Sequence, residues 1–446
     1  MLSVLVITNQ FAPINNCGAI PNTKLIKYLA REDVEITLIT NEIDPHDEVD
    51  ENLIPKEINQ IRVIRIGQSK LYHALIGKTR EKITDNGVKL KMKAETRPFR
   101  AKTVSSIKNT FFFLRRLDWI MSAKKSISKQ LGGKHFDVVY STYPNYEAHC
   151  LARSLYQSGV ADRWVADFRD PMGYVIHDKY HYEKSMRQQH QIEKAADYIT
   201  VVSDGALKKF LEADQKQNKI CVLPNGFDPD DFQIEKLPSG DSQKTLRFFY
   251  AGTLYFGKRD LSVLFKALSE LAKAGEIDLV NVRVEYAGNE WPMMISFAQQ
   301  YGLEEICVNY GYITRSRVME LMSEIDCSIV CTYNTDQDQG VVTGKIFELL
   351  LVEKPILAVI VGNLPDSELG RIVRDCDAGL VYEEANDAAD YPALKQWLKD
   401  RYSEKNGTGN LPFAINTDAR DQYSYQNIAK RLYDVFVQLT EDKHRS

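Results

Sequence analysis

The sequence is poor in cysteine, and its cysteines lack the spacing of a structural site. Its 446 residues include seven cysteines, an odd number, and no two of them form a CxxC pair. This pattern argues against a disulfide framework and against a zinc site. We therefore expect a protein of the reducing cytoplasm.

Long apolar runs are also missing. The N-terminal segment MLSVLVITNQFAP has a short apolar run and no basic residues before it, which is typical of a buried strand and not of a signal peptide. No window reaches the roughly 18 apolar residues that a spanning helix needs. Any contact with a membrane is therefore expected to be peripheral, on the inner face of the plasma membrane.

Several catalytic signatures are absent as well. The chain has no GxGxxG, GxSxG, HExxH or Walker lysine motif, which disfavours dinucleotide enzymes, serine hydrolases, zinc proteases and P-loop ATPases. We expect no metal and no cofactor. The hydrophobic fraction of 44% and the charged fraction of 26% are those of a globular protein, and the length predicts two or three domains.

Charge is unevenly distributed. The formal net charge is −4, yet residues 69–130 contain 16 Lys or Arg and four acids, a local net of +12. Aromatic residues such as Phe99 and Trp119 interleave with these cations, a composition that suits an anionic membrane surface. The stretch has no nucleic-acid module, so nucleic acid is not expected as a partner. A solvated helix face is the alternative.

Apolar runs alternate with helical segments along the chain. This alternation predicts parallel sheets buried on both faces, in an α/β fold. The first series predicts a domain over 1–235, with strands at 2–8, 34–40, 61–67, 137–142, 163–168, 198–203 and 220–226. The second series predicts a domain over 246–420, with strands at 246–252, 280–288, 306–312, 327–333, 355–360 and 378–383.

The segment between these two series is polar and reads as a linker over 233–245. The amphipathic tail 421–446 is expected to be a helix that packs back on the first domain. The two Rossmann-like α/β/α domains are expected to face each other across a cleft, with ligands at the carboxyl ends of the strands.

Two segments of the second domain carry residues suited to a diphosphate and a sugar. In AGTLYFGKRD a strand ends at Gly252 and the next loop carries Lys258 and Arg259, cations that would neutralise a diphosphate. In GVVTGKIFELL the loop ends at Gly344, and Lys345 and Glu348 lie three residues apart on one helix face. The alternatives are a solvated basic turn and an ordinary ion pair.

The first domain has candidates at corresponding positions. Gly18 precedes a helix after the first strand, where backbone N–H groups attract an anion. His149 lies near the start of another helix and could serve a substrate hydroxyl or a leaving phosphate. Asp170 could orient an acceptor, and Asp167 could form an internal pair with Arg169 that holds the loop.

Six segments in this order resemble the retaining family 4 glycosyltransferases of GT-B fold that act in bacterial polysaccharide assembly. The resemblance covers nearly the whole chain. It rests on FAPINNCG, WVADFRDP, PNGFDPDDF, YAGTLYFGKRD, GYITR and TGKIFELLLVEKP.

The resemblance implies a role for each candidate. Donor-binding positions are Gly18, Gly252, Lys258, Arg259, Gly311, Tyr312, Gly344, Lys345 and Glu348, of which Glu348 would contact the ribose. His149 and Asp170 fall in the catalytic region, and Asp167 and Arg169 on the acceptor side. The implied partners are a nucleotide sugar, with UDP or GDP as the expected nucleotide, and a glycan or lipid-linked acceptor.

Two positions depart from the family pattern. Gly340 stands where relatives have the first glutamate of a pair, and Thr142 stands where many have a histidine. The competing hypotheses are a nucleotide-sugar epimerase or hydrolase of the same fold and a catalytically silent binding protein. In the silent protein Gly340 would be a mark of decay, although such a protein has no reason to keep Lys258, Arg259, Lys345 and Glu348 together.

Overall fold

The structure is a computed structural model. It describes residues 1–45, 47–69, 72, 98–144, 146–170, 172, 179–213, 219–231 and 244–445. For 98–113, 179–181, 209, 211–213 and 442–445 it describes the backbone only. Most of the predicted linker 233–245 and of the basic stretch 69–130 lies outside these residues or their side chains.

The described strands form two sheets. The seven-stranded sheet contains β1 Leu2–Ile7, β2 Val34–Asn41, β3 Arg62–Ile66, β4 Phe136–Tyr143, β5 Ala161–Phe168, β6 Tyr198–Val201 and β7 Ile220–Val222. The six-stranded sheet contains β8 Leu246–Ala251, β9 Val282–Ala287, β10 Cys307–Gly311, β11 Cys327–Tyr333, β12 Ile356–Val361 and β13 Gly379–Glu383.

Both sheets are parallel and follow one topological plan. The order is β3-β2-β1-β4-β5-β6-β7 in the first sheet and β10-β9-β8-β11-β12-β13 in the second. In register, Val4 of β1 lies between Ile36 of β2 and Val138 of β4. In each sheet the strand order reverses next to its first strand, and such a reversal leaves a crevice at the carboxyl ends of the strands. The predicted α/β fold with two parallel sheets is confirmed.

Helices connect most of these strands. They are α1 Ala19–Leu29, α2 Pro98–Leu131, α3 Tyr146–Gln157, α4 Lys179–Ala195, α5 Asp204–Ala213, α6 Ser262–Lys273, α7 Trp291–Gln299, α8 Arg315–Glu324, α9 Lys345–Val352, α10 Glu368–Asp375, α11 Asp387–Thr408, α12 Thr417–Asp421 and α13 Tyr425–Arg445.

Burial explains why the strands read as continuous apolar runs. Residues Val4 to Ile7 of β1 are fully buried, and so are Ile356 to Ala358 of β12. Strands covered by helices on both faces have no solvated side to carry polar residues. Each buried aliphatic side chain stabilises the fold by about 1.5–3 kcal/mol relative to its exposure.

The chain divides into two compact units. Unit 1 comprises residues 1–202, 213–221 and 429–446, and unit 2 comprises residues 203–212 and 222–428. Helix α13 therefore begins in unit 2 and continues into unit 1, where the Phe436 ring lies 5.9 Å from the Tyr140 ring in an edge-on arrangement. Arg163 donates a hydrogen bond of 3.0 Å to the Leu439 carbonyl in the same unit.

Candidate functional site

The loops that follow β8 and β11 leave adjacent strands at the strand-order reversal of unit 2. The loop after β8 carries Lys258 and Arg259, and Tyr333 is the last residue of β11. The Lys258 ammonium lies 5.5 Å from the centroid of the Tyr333 ring. The basic loop therefore reaches the end of the neighbouring strand, where a ligand is expected in this topology.

The two adjacent cations of this loop are held by neutral groups. The Arg259 guanidinium lies 4.5 Å from the centroid of the Tyr255 ring, and its Nη1 donates to the Thr253 carbonyl at 3.2 Å. Arg259 Nε is buried and has no hydrogen-bond partner among the described atoms. Within the part of the chain that the structure describes, no carboxylate forms an ion pair with Lys258 or Arg259. Two uncompensated positive charges at a strand end attract an anion.

Glu348 lies on the first turn of α9 in a charged cluster. Its Oε1 accepts from Arg315 Nε at 3.0 Å and its Oε2 from Lys345 Nζ at 3.2 Å. Arg315 also donates to Asp231 at 3.2 Å. Burial alone would raise the pKa of Glu348, but the positive charges of Lys345 and Arg315 outweigh it and lower that pKa. Glu348 is therefore an ionised, oriented acceptor.

Sequence reasoning missed Arg315 and Asp231 in this cluster. Arg315 is the last residue of the GYITR segment and the first residue of α8, but it is 33 positions from Glu348. Its pKa is raised, because the charges of Glu348 and Asp231 outweigh the effect of its burial. The arginine in that short segment was the available signal, and only the fold brings it to the carboxylate.

The other predicted donor positions lie at strand and helix ends of unit 2. Gly252 follows β8 with φ +148°, Gly311 ends β10 with φ +64°, and both values favour glycine. Gly344 precedes α9, with open space where a side chain would start. Tyr312 is 74% exposed.

Gly340 has a structural cause. Its φ is +69°, and a Cβ placed on it would lie 2.6 Å from the Gly205 Cα, which belongs to the same unit. A glutamate at 340 would therefore clash with backbone atoms as well as adopt a strained conformation. The glycine is a requirement of this packing, which gives it a structural cause beside the hypothesis of decay.

In unit 1, Gly18 directly precedes α1 at the end of the loop that follows β1. Asn16 Oδ1 accepts from the Gly18 N–H at 3.0 Å and from the Ala19 N–H at 2.8 Å. This capping explains why α1 begins at Ala19. A Cβ at Gly18 would lie 1.7 Å from Gln10 Oε1, so a larger residue there would require the terminal amide of Gln10 to move.

His149 lies in the interior of unit 1. It is fully buried, and its Nδ1 is 2.8 Å from Ser141 Oγ, which also accepts from Trp164 Nε1 at 2.8 Å. Its ring centroid is 4.7 Å from that of Phe168. Burial lowers the pKa of His149 to about 3, against a weaker opposing effect of a backbone hydrogen bond at Asp167. The catalytic role of His149 stays a prediction, and this environment favours a neutral, positioning imidazole.

The internal pair of Asp167 with Arg169 that the sequence suggested is present in the structure. Arg169 Nε donates to Asp167 Oδ2 at 2.9 Å, and Thr200 Oγ1 donates to Asp167 Oδ1 at 2.6 Å. Asp167 is fully buried, so this pair holds the end of β5 in place. Asp170 is exposed. Neighbouring protein atoms nevertheless take part of the water from its carboxyl, and this desolvation raises its pKa, while the Arg169 charge opposes that effect.

Helix α2 presents one apolar and basic face. Leu114, Leu117 and Met121 are 42%, 41% and 68% exposed, and Lys124 and Lys125 continue the same face as exposed residues. The opposite face is buried through Trp119, Ala123, Ile127 and Leu131. No described helix is long and apolar enough to cross a membrane. Among the described side chains, no group of three or more His, Cys, Asp or Glu is arranged to hold a metal ion.

Comparisons with known proteins show the fold. No family model and no curated protein matches the sequence. Sucrose-phosphate synthase from Thermosynechococcus elongatus is similar in structure, with a TM-score of 0.59 at 14% identity over 99% of this chain and 100% of that one. The lipopolysaccharide outer core galactosyltransferase WaaB has a TM-score of 0.56 at 12% identity, over 98% of this chain and 99% of that one. The Anabaena HepE complex with UDP and glucose also has a TM-score of 0.56 at 12% identity, over 98% of this chain and 100% of that one. The chain has the GT-B fold of these enzymes.

Proposed function

We propose that the protein is a glycosyltransferase that moves a sugar from a nucleotide diphosphate sugar to a hydroxyl of a glycan or lipid-linked saccharide. The observation that carries this proposal is the pair of uncompensated cations, Lys258 and Arg259, at the strand-order reversal of unit 2. We further propose a retaining reaction of the family 4 type, acting in cell-surface polysaccharide biosynthesis.

The diphosphate is the part of the donor that needs most stabilisation. When the bond to the sugar breaks, negative charge develops on the departing nucleoside diphosphate. Lys258 supplies a compact point charge and Arg259 a planar set of donors. Because both are already fixed at the strand end, they stabilise the developing charge without reorganising.

Glu348 is proposed to bind the ribose. Ribose hydroxyls are donors, and an ionised carboxylate accepts at two oxygens with about four lone-pair sites. Arg315 and Lys345 occupy one direction at each oxygen and thereby orient the carboxylate. The remaining lone pairs can accept hydroxyl hydrogens. Gly252, Gly311, Tyr312 and Gly344 are proposed as further donor contacts.

On the acceptor side we propose Asp170 as the group that orients the attacking hydroxyl, with Asp167 and Arg169 holding its loop. Gly18 is proposed to lie against the diphosphate, and His149 to stabilise the loop from the interior. With retention and no enzymic nucleophile, the acceptor oxygen attacks the anomeric carbon on the face that the diphosphate leaves. The leaving phosphate then takes the acceptor proton.

We also propose that the exposed face of α2 contacts anionic lipid. Its three apolar side chains can enter the headgroup region while Lys124 and Lys125 meet the phosphates. This contact would bring the protein to a lipid-linked acceptor. The proposal concerns a surface contact only.

Thermal denaturation with nucleotides tests the proposed donor site. UDP comes first, because two of the similar solved structures contain it or a sugar derivative of it. They are HepE with UDP and glucose, and trehalose-6-phosphate from E. coli bound with UDP-2-fluoro glucose. GDP, TDP and ADP follow. A ligand at 100 times its Kd stabilises the folded state by about 2.7 kcal/mol, so Tm should rise with one of them.

Glu348→Ala provides the residue-level test. The variant should raise the Kd of that nucleotide at least about tenfold, the effect of losing one charged hydrogen bond. Glu320→Ala is the matched control, because Glu320 forms an exposed i,i+3 ion pair with Arg317 at 2.8 Å in the same unit. The donor-site proposal fails if no nucleotide raises Tm at millimolar concentration, and the ribose assignment fails if Glu348→Ala binds normally.

A further inference from the structure

The loop after β8 contains three successive residues in a left-handed conformation. Tyr255, Phe256 and Gly257 have φ of +51°, +55° and +91°. This region is suited to glycine but unfavourable for bulky side chains. Residues kept in such conformations are held by their surroundings and concentrate at ligand sites.

Glu290 holds this loop in place. Its carboxylate accepts from the backbone N–H groups of Leu254 at 2.5 Å, Tyr255 at 3.1 Å and Phe256 at 3.0 Å. Glu290 itself follows β9, and its own N–H donates to the Tyr286 hydroxyl at 3.0 Å. The three hydrogen bonds offset the strain of the loop and define the direction of its side chains.

The two aromatic side chains of the loop have different environments. The Tyr255 ring lies beneath the Arg259 guanidinium. The Phe256 side chain is 91% exposed, the highest value among the large hydrophobic residues described. A phenylalanine in this position therefore has two costs, a strained backbone conformation and an apolar ring exposed to water. The hydrogen bonds to Glu290 offset the first of these, and the described contacts of the folded chain do not offset the second.

We propose that Phe256 is a stacking residue for the transferred sugar and that Glu290 positions it. The inference rests on the proposed function and deepens it. Phe256 lies two residues from Lys258, within about 7 Å along the backbone. In a nucleotide sugar, the transferred sugar is bonded to the diphosphate at the end opposite the ribose. If Lys258 holds the diphosphate, the sugar is therefore directly bonded to the group that Lys258 holds. The apolar face of a sugar ring can cover the phenyl ring and remove both from water.

The test compares a nucleotide sugar with the corresponding nucleoside diphosphate by titration calorimetry. Phe256→Asn should weaken binding of the nucleotide sugar about two- to tenfold, the range of a lost aromatic contact. It should leave binding of the nucleoside diphosphate unchanged, because that ligand has no sugar for the ring to contact. Asparagine tolerates the left-handed conformation, so Tm should not fall. Phe256→Tyr, which keeps the ring, should restore nucleotide-sugar affinity.

Val280→Asn is the matched control, because Val280 is 72% exposed in the same unit and is not in this loop. It should leave both affinities unchanged. Glu290→Ala tests the positioning role. It should weaken binding of both ligands, because the loop also carries Lys258, and Glu290→Gln should recover part of the loss through its one remaining acceptor oxygen.

The outcomes separate this inference from the proposed function. If the native protein binds neither ligand, the donor site itself is wrong. If it binds both and Phe256→Asn binds the nucleotide sugar as tightly as the native protein, the stacking role is wrong. If Glu290→Ala binds both ligands normally, the positioning role is wrong.

Discussion

The sequence around Glu348 suggested two roles for its carboxylate, an ion pair within the helix and a contact to the ribose, and the two roles are compatible. The i,i+3 ion pair with Lys345 exists, at 3.2 Å, and the same carboxylate lies where a ribose contact is proposed. Its second cation, Arg315, comes from another helix. Spacing along one helix therefore predicted the local partner, whereas a partner 33 residues away depends on how α8 and α9 pack.

For His149, the position in the sequence does not reveal whether the side chain is buried. The sequence places it near the start of a helix after β4. Two of the aromatic rings next to it, Trp164 and Phe168, come from β5, which pairs with β4. Whether such a histidine is exposed or enclosed depends on the side chains of the adjacent strand, so the position alone was insufficient.

The burial of His149 predicts a dependence of stability on pH. Its pKa is about 3 when folded and 6.5 ordinarily, so below pH 6.5 the unfolded chain binds a proton that the folded chain does not. The free energy of unfolding should therefore fall as pH decreases from about 6.5 toward 3. The slope from this group is at most about 1.4 kcal/mol per pH unit.

Urea denaturation of the native protein and of His149→Asn between pH 7 and pH 5 measures this slope. The variant should be less stable at pH 7 but should lose less stability on acidification than the native protein. Equal slopes for the two proteins would mean that His149 is accessible to protons in the folded state.

At the scale of the element, the loop before α9 illustrates how glycines differ. Gly340 has a positive φ and a close backbone neighbour, whereas Gly344 has a helical φ and open space around it. Gly340→Ala should lower the free energy of unfolding by at least about 1 kcal/mol. Gly344→Ala should leave it unchanged or raise it slightly.

Chemical denaturation of the two glycine variants gives this comparison directly. A stable Gly340→Ala protein would show that the loop can move away from α5. A Gly340→Glu variant should be at least as unstable as Gly340→Ala and should not gain activity, since the same close approach excludes its side chain.

The exposed face of α2 supports a prediction about membranes. Charge reversal of Lys124 and Lys125 should reduce binding to vesicles that contain anionic lipid by at least about tenfold, since each basic residue contributes about 1 kcal/mol near such a surface. Lys273→Glu with Lys430→Glu changes the net charge equally at exposed positions on other helices.

Sedimentation with vesicles measures this binding, and neutral vesicles serve as the lipid control. If both double variants sediment like the native protein, α2 does not bind lipid. If both lose binding equally, net charge alone is responsible and the particular face of α2 is not.

The strands were the most predictable elements of the chain. The run PILAVI predicted β12 to within one residue, because a strand buried on both faces has a continuous run of apolar residues in its sequence. Helix starts were less predictable. Helix α1 begins at Ala19, because the Asn16 side chain caps N–H groups that the apolar periodicity does not report.

At the scale of the whole molecule, the fold followed from the order of its elements. Strand and helix alternate twice along the chain, and right-handed crossovers leave few arrangements for such a series. Both sheets adopt the same order around their first strand. The division into units was less accessible from sequence, because segment 203–212 belongs to unit 2 although its position in the chain suggests unit 1.

The last segment of the chain should contribute strongly to the stability of unit 1. Phe436 is fully buried against Tyr140, and Phe436→Ala should lower the free energy of unfolding by about 3–5 kcal/mol. Gln438→Ala, an exposed change on the same helix, should have little effect. Calorimetry of the two variants tests this, and equal Tm values would show that α13 is not part of the core.

The path of the chain also has a consequence for biosynthesis. The polypeptide passes from unit 1 to unit 2 and back twice. After its final return, Phe436 is buried in the core of unit 1, which also contains the first strand, β1. A ribosome makes that first strand some four hundred residues before the side chain that completes its packing. During synthesis, part of the apolar surface of unit 1 therefore stays uncovered until Phe436 is made. Unit 2 can complete its folding first, although its synthesis starts later.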